Sequence, residues 1–269
     1  MRIRMLTTTM AALAVVVLGA AVGTAQTGRA GKAQAQAPVL VELFTSQGCS
    51  SCPPADKLLS ALRSDPQLSG RVIPLAFHVD YWNRIGWEDP FSSAQWTGRQ
   101  QRYARALGNG SRIYTPQLVV NGREDCVGSN QGDVRSRVGT ALQAPALGRV
   151  SLAASSTGEG VRVKVEAAVA GAGLERDLDV LVALYENGLV TEVGSGENAR
   201  RTLRNDYVVR RLQKAFVLPP AAGSRQAGEV TLALDRAWKR ANLGVVAFLQ
   251  DPATLAVHGA AVQPLTPSR

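Results

Sequence analysis

Residues Val39 to Pro54 read V-L-V-E-L-F-T-S-Q-G-C-S-S-C-P-P, and this stretch decides the fold. Val39–Phe44 is an almost uninterrupted apolar run, which suits a strand buried on both faces of a parallel sheet. Thr45 to Gly48 is a polar turn, after which Cys49 opens a helix. Pro53 and Pro54 belong in its first turn, where a missing N–H costs nothing. Ala55, Leu58, Leu59 and Leu62 recur at helical spacing until Asp65-Pro66 breaks the pattern. A second apolar run from Arg71 to Val79 completes a β-α-β unit with parallel strands and a right-handed crossover.

Two cysteines two residues apart at a helix start have a specific chemical use. One thiolate attacks, and the second resolves the mixed disulfide. The helix N-terminus stabilises the thiolate through its dipole and unpaired N–H groups. Cys49 is expected at the exposed end as the nucleophile and Cys52, shielded, as the resolving thiol. A static disulfide holding the turn is the alternative. No second C-x-x-C or H-x-x-x-H supplies a zinc site, and no cofactor beyond the dithiol is expected.

Farther out, residues Tyr81 to Gly110 form an insertion with a helical pattern around Phe91–Leu107. It holds Trp82, Trp87 and Trp96, expected to pack beneath it. Thr115-Pro116 introduces Gln117–Val120, the turn Asn121-Gly122 and Arg123–Val127, a strong hairpin signal. A helix around Val134–Leu142 ends this half near Pro145. Beyond it, short runs at Val150–Leu152, Val161–Val169, Leu178–Tyr185, Leu189–Val193, Val230–Leu234, Gly244–Leu249 and Leu255–Val262 read as strands. The alternation of Val161, Val163 and Val165 with Arg162, Lys164 and Glu166 is that of a half-buried strand. The expected organisation is α/β: residues 38–147 forming one domain with a helical insertion, and 148–269 a β-rich, sandwich-like domain.

Composition bounds the rest. The 269 residues are 45% hydrophobic and 19% charged, which fits a globular chain. The formal charge of +9 comes from scattered residues without a dense basic run, so nucleic acid is not an expected partner. Arg2 and Arg4 precede an uncharged stretch from Met5 to Gly28, with Gly23 and Ala25 placed as for signal-peptidase cleavage. Residues 1–25 are therefore expected to be a signal peptide and 26–37 a flexible linker. Export to the periplasm or medium follows, with no stable membrane insertion after cleavage; an uncleaved anchor is the alternative. Outside the cytosol a close cysteine pair is expected to be oxidised.

V-E-L-F-T-S-Q-G-C-S-S-C resembles the strand–loop–dithiol entry of thioredoxins, and T-P-Q-L-V-V-N-G resembles their cis-proline strand and hairpin. F-H-V-D-Y-W and the following G-W-x-D-P-F resemble an exported thioredoxin-like group, the domain-of-unknown-function family 1223. The resemblance covers about residues 38–145 and implies a thioredoxin-like N-terminal domain acting on protein or small-molecule thiols. It makes Cys49 the nucleophile, Cys52 the resolving thiol and Pro116 a cis-proline beside them. Glu42 stands one register position from a buried acid of thioredoxins, where it would shuttle the proton of Cys52; an outward-facing Glu42 is the alternative reading. Gly48 replaces the usual tryptophan before the pair, and Ser50 and Ser51 replace glycine and proline, so direction of exchange does not follow. His78 and Asp80 end the second strand near the dithiol. A binding module is the second functional reading, with Cys49, Cys52 and His78 holding a soft metal such as copper. Cys126 is expected to be a small buried residue.

Overall fold

A computed structural model describes residues 38–265 except Ser69 and Glu159. The signal-peptide and linker segments expected in residues 1–37 lie outside the described residues. The architecture is mixed α/β, with one large sheet, a smaller one, a two-stranded ribbon and few helices.

The apolar run becomes strand β1 (Val39–Thr45), followed by helix α1 (Pro53–Ser64) and strand β2 (Val72–His78). β1 and β2 pair in parallel from Val39↔Val72 to Thr45↔His78. Helix α2 (Ala94–Ala106) lies in the insertion. It is followed by β3 (Gln117–Val120), β4 (Glu124–Val127) and helix α3 (Gln131–Ala141). Between β3 and β4, Asn121 and Gly122 take φ of 46° and 65°, the left-handed pair that a two-residue hairpin turn requires.

The second half supplies β5 (Gly148–Ser156), β6 (Gly160–Val169), β7 (Leu178–Glu186), β8 (Leu189–Glu192) and β9 (Thr202–Asn205). β10 (Val208–Leu218), β11 (Arg225–Ala233), β12 (Leu243–Gln250) and β13 (Val257–Pro264) complete it. The large sheet has the order β13-β12-β7-β10-β2-β1-β3-β4. β10 joins the halves, pairing in parallel with β2 at Val208↔Ala76 and antiparallel with β7 along its length. The large sheet therefore contains strands from both sides of the boundary expected between residues 147 and 148. Sheet-on-sheet packing does occur: β11-β6-β5 lies against β7 and β12, and Val161, Val163 and Val165 meet Val180, Val182, Val245 and Ala247.

The two faces of the large sheet have different covers. Val39, Val41 and Leu43 pack with Leu58, Leu59 and Leu62 of α1 and with Val134 and Val138 of α3. Leu40, Phe44, Ile73 and Phe77 pack on the opposite face with Trp96 and Tyr103 of α2. This alternation follows from the period of two along each strand, and it determines which side chains reach the dithiol.

Candidate functional site

Cys49 and Cys52 form a disulfide across the turn that enters α1, with their Cα atoms 5.4 Å apart. Cys52 is the N-cap residue of the helix. The prolines change the expected electrostatics. Pro53 and Pro54 have no N–H, and the amides of Ala55 and Asp56 both donate to the Cys52 carbonyl, at 2.8 and 3.1 Å. The dipole remains, but the first-turn amides have nothing left for a thiolate. Ser51 supplies a donor instead, its hydroxyl lying 3.3 Å from Cys49 Sγ.

The expected exposure of Cys49 is corrected by the structure. Both cysteines are 0% exposed, whereas Ser50 and Ser51 face solvent. Trp82 lies against the turn: a Cβ at Gly48 would come within 3.1 Å of Trp82 Cβ. Glycine at 48 lets Trp82 approach this closely without a shift. Trp82 Nε1 donates to Thr115 Oγ1 at 2.8 Å. The Thr115–Pro116 peptide is cis. β3 begins opposite Phe44, so Pro116 adjoins the end of β1 from which the dithiol turn leaves.

Glu42 does not take part. It faces away from α1, on the side of Leu40 and Phe44. Arg99 grips both its oxygens, Nε to Oε2 at 2.6 Å and Nη2 to Oε1 at 3.0 Å, and the Tyr103 hydroxyl donates to Oε1 at 2.5 Å. Gln250 Oε1 accepts from Arg99, which closes a buried, satisfied network. Its role is to tie α2 to β1 and β12. Glu42→Gln removes the partner of a buried guanidinium, and it should cost about 3–5 kcal/mol of stability. The pH profile of dithiol exchange should stay where it is; circular-dichroism melts and exchange rates on one preparation check both halves.

A different acid sits near the dithiol. Asp56 lies one turn beyond Cys52 on α1 and is buried. Residues four apart share a helix face, so its carboxyl occupies the same stripe as Cys52. Burial pushes its pKa up to about 7; the positive charge of His78 and the nearby Thr45 hydroxyl pull it down, and Asp89 pushes it up. Thr45 and His78 are register partners at the ends of β1 and β2. The Thr45 hydroxyl, Asp56 Oδ1 and His78 Nε2 are all buried without a hydrogen-bond partner.

His78 is anchored from its other nitrogen. Nδ1 lies 2.7 Å from Asp89 Oδ2, with both side chains buried. Burial alone would lower the His78 pKa, but the charge and hydrogen bond of Asp89, helped by Asp56, raise it. Burial likewise opposes ionisation of Asp89, yet His78 and the amides of Gln47 and Phe91 hold its pKa below the ordinary value. Each partner thus favours the charged form of the other. The Gln47 amide donates to Asp89 Oδ2 at 2.8 Å, which connects the pair to the residues just before Cys49. Asp80 is occupied elsewhere, accepting from Thr97 Oγ1 at 2.6 Å.

Among the described residues, no three His, Cys, Asp or Glu side chains are placed to hold a metal, so Cys49, Cys52 and His78 are not gathered into a metal set. Cys126 is free and buried, and burial with the nearby Asp133 pushes its thiol up to about 11, which leaves it protonated and inert near neutrality. No helix of the described residues is long and apolar enough to cross a membrane.

A family model described as protein of unknown function (DUF1223) matches residues 40–250. A solved structure of a protein from Agrobacterium tumefaciens is 30% identical, with a TM-score of 0.68 over 88% of this chain and 98% of that one. HBP35 of Porphyromonas gingivalis is similar in fold, at 13% identity and a TM-score of 0.63, over 86% of this chain and 76% of that one. No functionally curated protein matches.

Proposed function

The chain belongs to the DUF1223 family, and from that premise we propose that it is an exported thiol–disulfide oxidoreductase on a thioredoxin-like fold. One observation carries the reading: a Cys49–Cys52 disulfide enters a helix whose first turn buries the carboxyl of Asp56. The neighbouring order β2-β1-β3-β4, with α1 and α3 on one face and the cis bond before Pro116, supports the thioredoxin-like assignment. The Arg2, Arg4 and apolar opening of the sequence supports export.

In the reducing direction, the Cys49 thiolate attacks a substrate disulfide, forms a mixed disulfide and expels one substrate thiolate. Cys52 then loses its proton to the Asp56 carboxylate and attacks Cys49 Sγ. This expels the second substrate thiolate and restores the Cys49–Cys52 bond; the substrate gains two electrons and the protein loses two. In the oxidising direction the steps reverse, and neutral Asp56 protonates the departing Cys52 thiolate. A pKa near neutrality suits a group that must give and take the same proton. Ser51 is the hydroxyl donor to a Cys49 thiolate.

Turnover of a dye-labelled disulfide peptide by full-length protein, with an unstructured peptide dithiol as the final reductant, tests the reading. Wild type should exceed Cys49→Ser by at least about a hundredfold. Equal rates would refute the activity.

A further inference from the structure

The dithiol turn is held shut by a segment far along the chain. Residues 193–201 connect β8 to β9, and the buried side chain of Asn198 reaches the turn. Its Nδ2 donates to the carbonyl of Gln47 at 2.8 Å and to that of Cys49 at 3.0 Å. Arg201 fixes the amide by donating to its Oδ1 at 2.9 Å. The neighbouring Glu197 accepts from the Ser50 amide through Oε2 at 3.0 Å.

The flanking strands are fastened as well. Gln47 Nε2 donates to Thr191 Oγ1 and Asn205 Oδ1, at 3.0 Å each, and Trp87 Nε1 donates to Gln47 Oε1 at 3.2 Å. The Ser195 hydroxyl bonds the Gly86 carbonyl. Gly196, at φ 73°, leaves room for the segment to lie on Trp87, whose Cβ a side chain there would meet at 3.1 Å.

Two chemical consequences follow. An attacking thiolate must reach a sulfur in line with the S–S bond, and both sulfurs are buried in the structure in which the segment holds the turn. In addition, the Glu197 carboxylate sits on the amide next to Cys49. It places negative charge on the residue next to Cys49, which disfavours a second negative charge there.

Lifting the segment uncovers the carbonyls of Gln47 and Cys49 and the N–H of Ser50. Acceptors and a donor along one short stretch of backbone match an extended main chain, whose own amides replace Asn198 and whose carbonyl replaces Glu197. A small thiol has no such groups with which to compensate the broken bonds.

We infer that residues 193–201 form a strap that selects substrates, with Asn198 and Glu197 as positioning residues that yield to a polypeptide thiol and exclude small ones. The inference rests on the exchange activity proposed above and names its substrate class.

The test is reduction of the Cys49–Cys52 disulfide followed by stopped flow, with dithiothreitol and with an unstructured peptide dithiol, in wild type, Asn198→Ala and Glu197→Gln. Asn198→Ala should speed reduction by dithiothreitol roughly tenfold, the equivalent of about one net hydrogen bond. The peptide rate should change far less, so the preference for peptide falls. Glu197 is exposed, so Glu197→Gln keeps the fold and should give a smaller shift in the same direction. Unchanged rates and preference in both variants overturn the strap and leave the exchange reading standing. A disulfide inert to both reductants in all three proteins overturns the exchange reading and the strap with it.

Discussion

Cys52→Ser should accumulate a covalent mixed disulfide through Cys49 with any substrate it attacks, and its turnover should fall at least about a thousandfold. The reason is the order of events. Cys49 alone still attacks, but without the second sulfur the mixed disulfide waits for an external thiol. With its Cα 5.4 Å from that of Cys49, Cys52 is held at high effective concentration, an advantage no solution thiol matches. Mass spectrometry of the variant after exposure to a disulfide peptide reads the adduct directly. The buried Cys126, held protonated by its surroundings, should carry none. An adduct on Cys126, or none on Cys49, would remove the basis of the proposed mechanism.

The second large effect belongs to Asp56. Its folded pKa of about 7 lies above the ordinary 3.8, so the folded protein holds a proton that the unfolded chain has already lost between those values. Stability from this group is fully present below pH 3.8 and is lost progressively as pH rises through about 7. The difference corresponds to about 4 kcal/mol once the carboxyl has ionised. Asp56→Asn should therefore be nearly neutral at pH 4 and more stable than wild type by up to about 4 kcal/mol at pH 8. Denaturant melts at the two pH values measure it. The same variant should exchange about a hundredfold more slowly and lose the rate inflection near neutrality, because the Cys52 proton has no acceptor. A gain in stability paired with a loss of activity is the mark of a strained functional group. Retention of wild-type rates would reduce Asp56 to a buried structural acid.

His78 and Asp89 modulate this behaviour in opposite directions. The raised pKa of His78 favours the folded state below 6.5, and that share is lost as pH rises through its folded value. The depressed pKa of Asp89 favours the folded state above 3.8, and that share is lost as pH falls. Their ion pair is therefore complete between those limits; the charge of His78 lowers the Asp56 pKa and that of Asp89 raises it.

The N-terminal elements were legible because their local signals agree. The apolar run at Val39, the prolines after Cys52, the break at Asp65-Pro66 and the Asn121-Gly122 turn all lie where chain chemistry alone places them. β10 was not legible. Its ladder to β7 shifts register between Val209 and Arg211 and again between Lys214 and Phe216. Each shift breaks the alternation of period two, so no strand was expected between Val193 and Val230. Because β10 is the strand that joins the halves, missing it hid the large sheet that runs through both.

The site was legible in part for related reasons. Cys49, Cys52 and Pro116 carry motif signals within a few residues. Glu42 stood out as the lone acid in an apolar strand, but a strand has two faces and Glu42 belongs to the one opposite α1. Asp56 carried a signal that was passed over: it shares its stripe with Cys52 and Leu59, at i+4 and i+3 spacing on a helix that buries that face. The clasp on the dithiol turn had no local signal, because Asn198 lies 149 positions from Cys49.

Equilibration of the full-length protein against graded redox buffers, with the Cys49 and Cys52 thiols counted after acid quenching, tests the central claim most directly. The account predicts one reversible two-electron transition between about −270 and −120 mV, the span of known dithiol exchangers. A pair still oxidised below about −300 mV would contradict it and make the bond a structural staple.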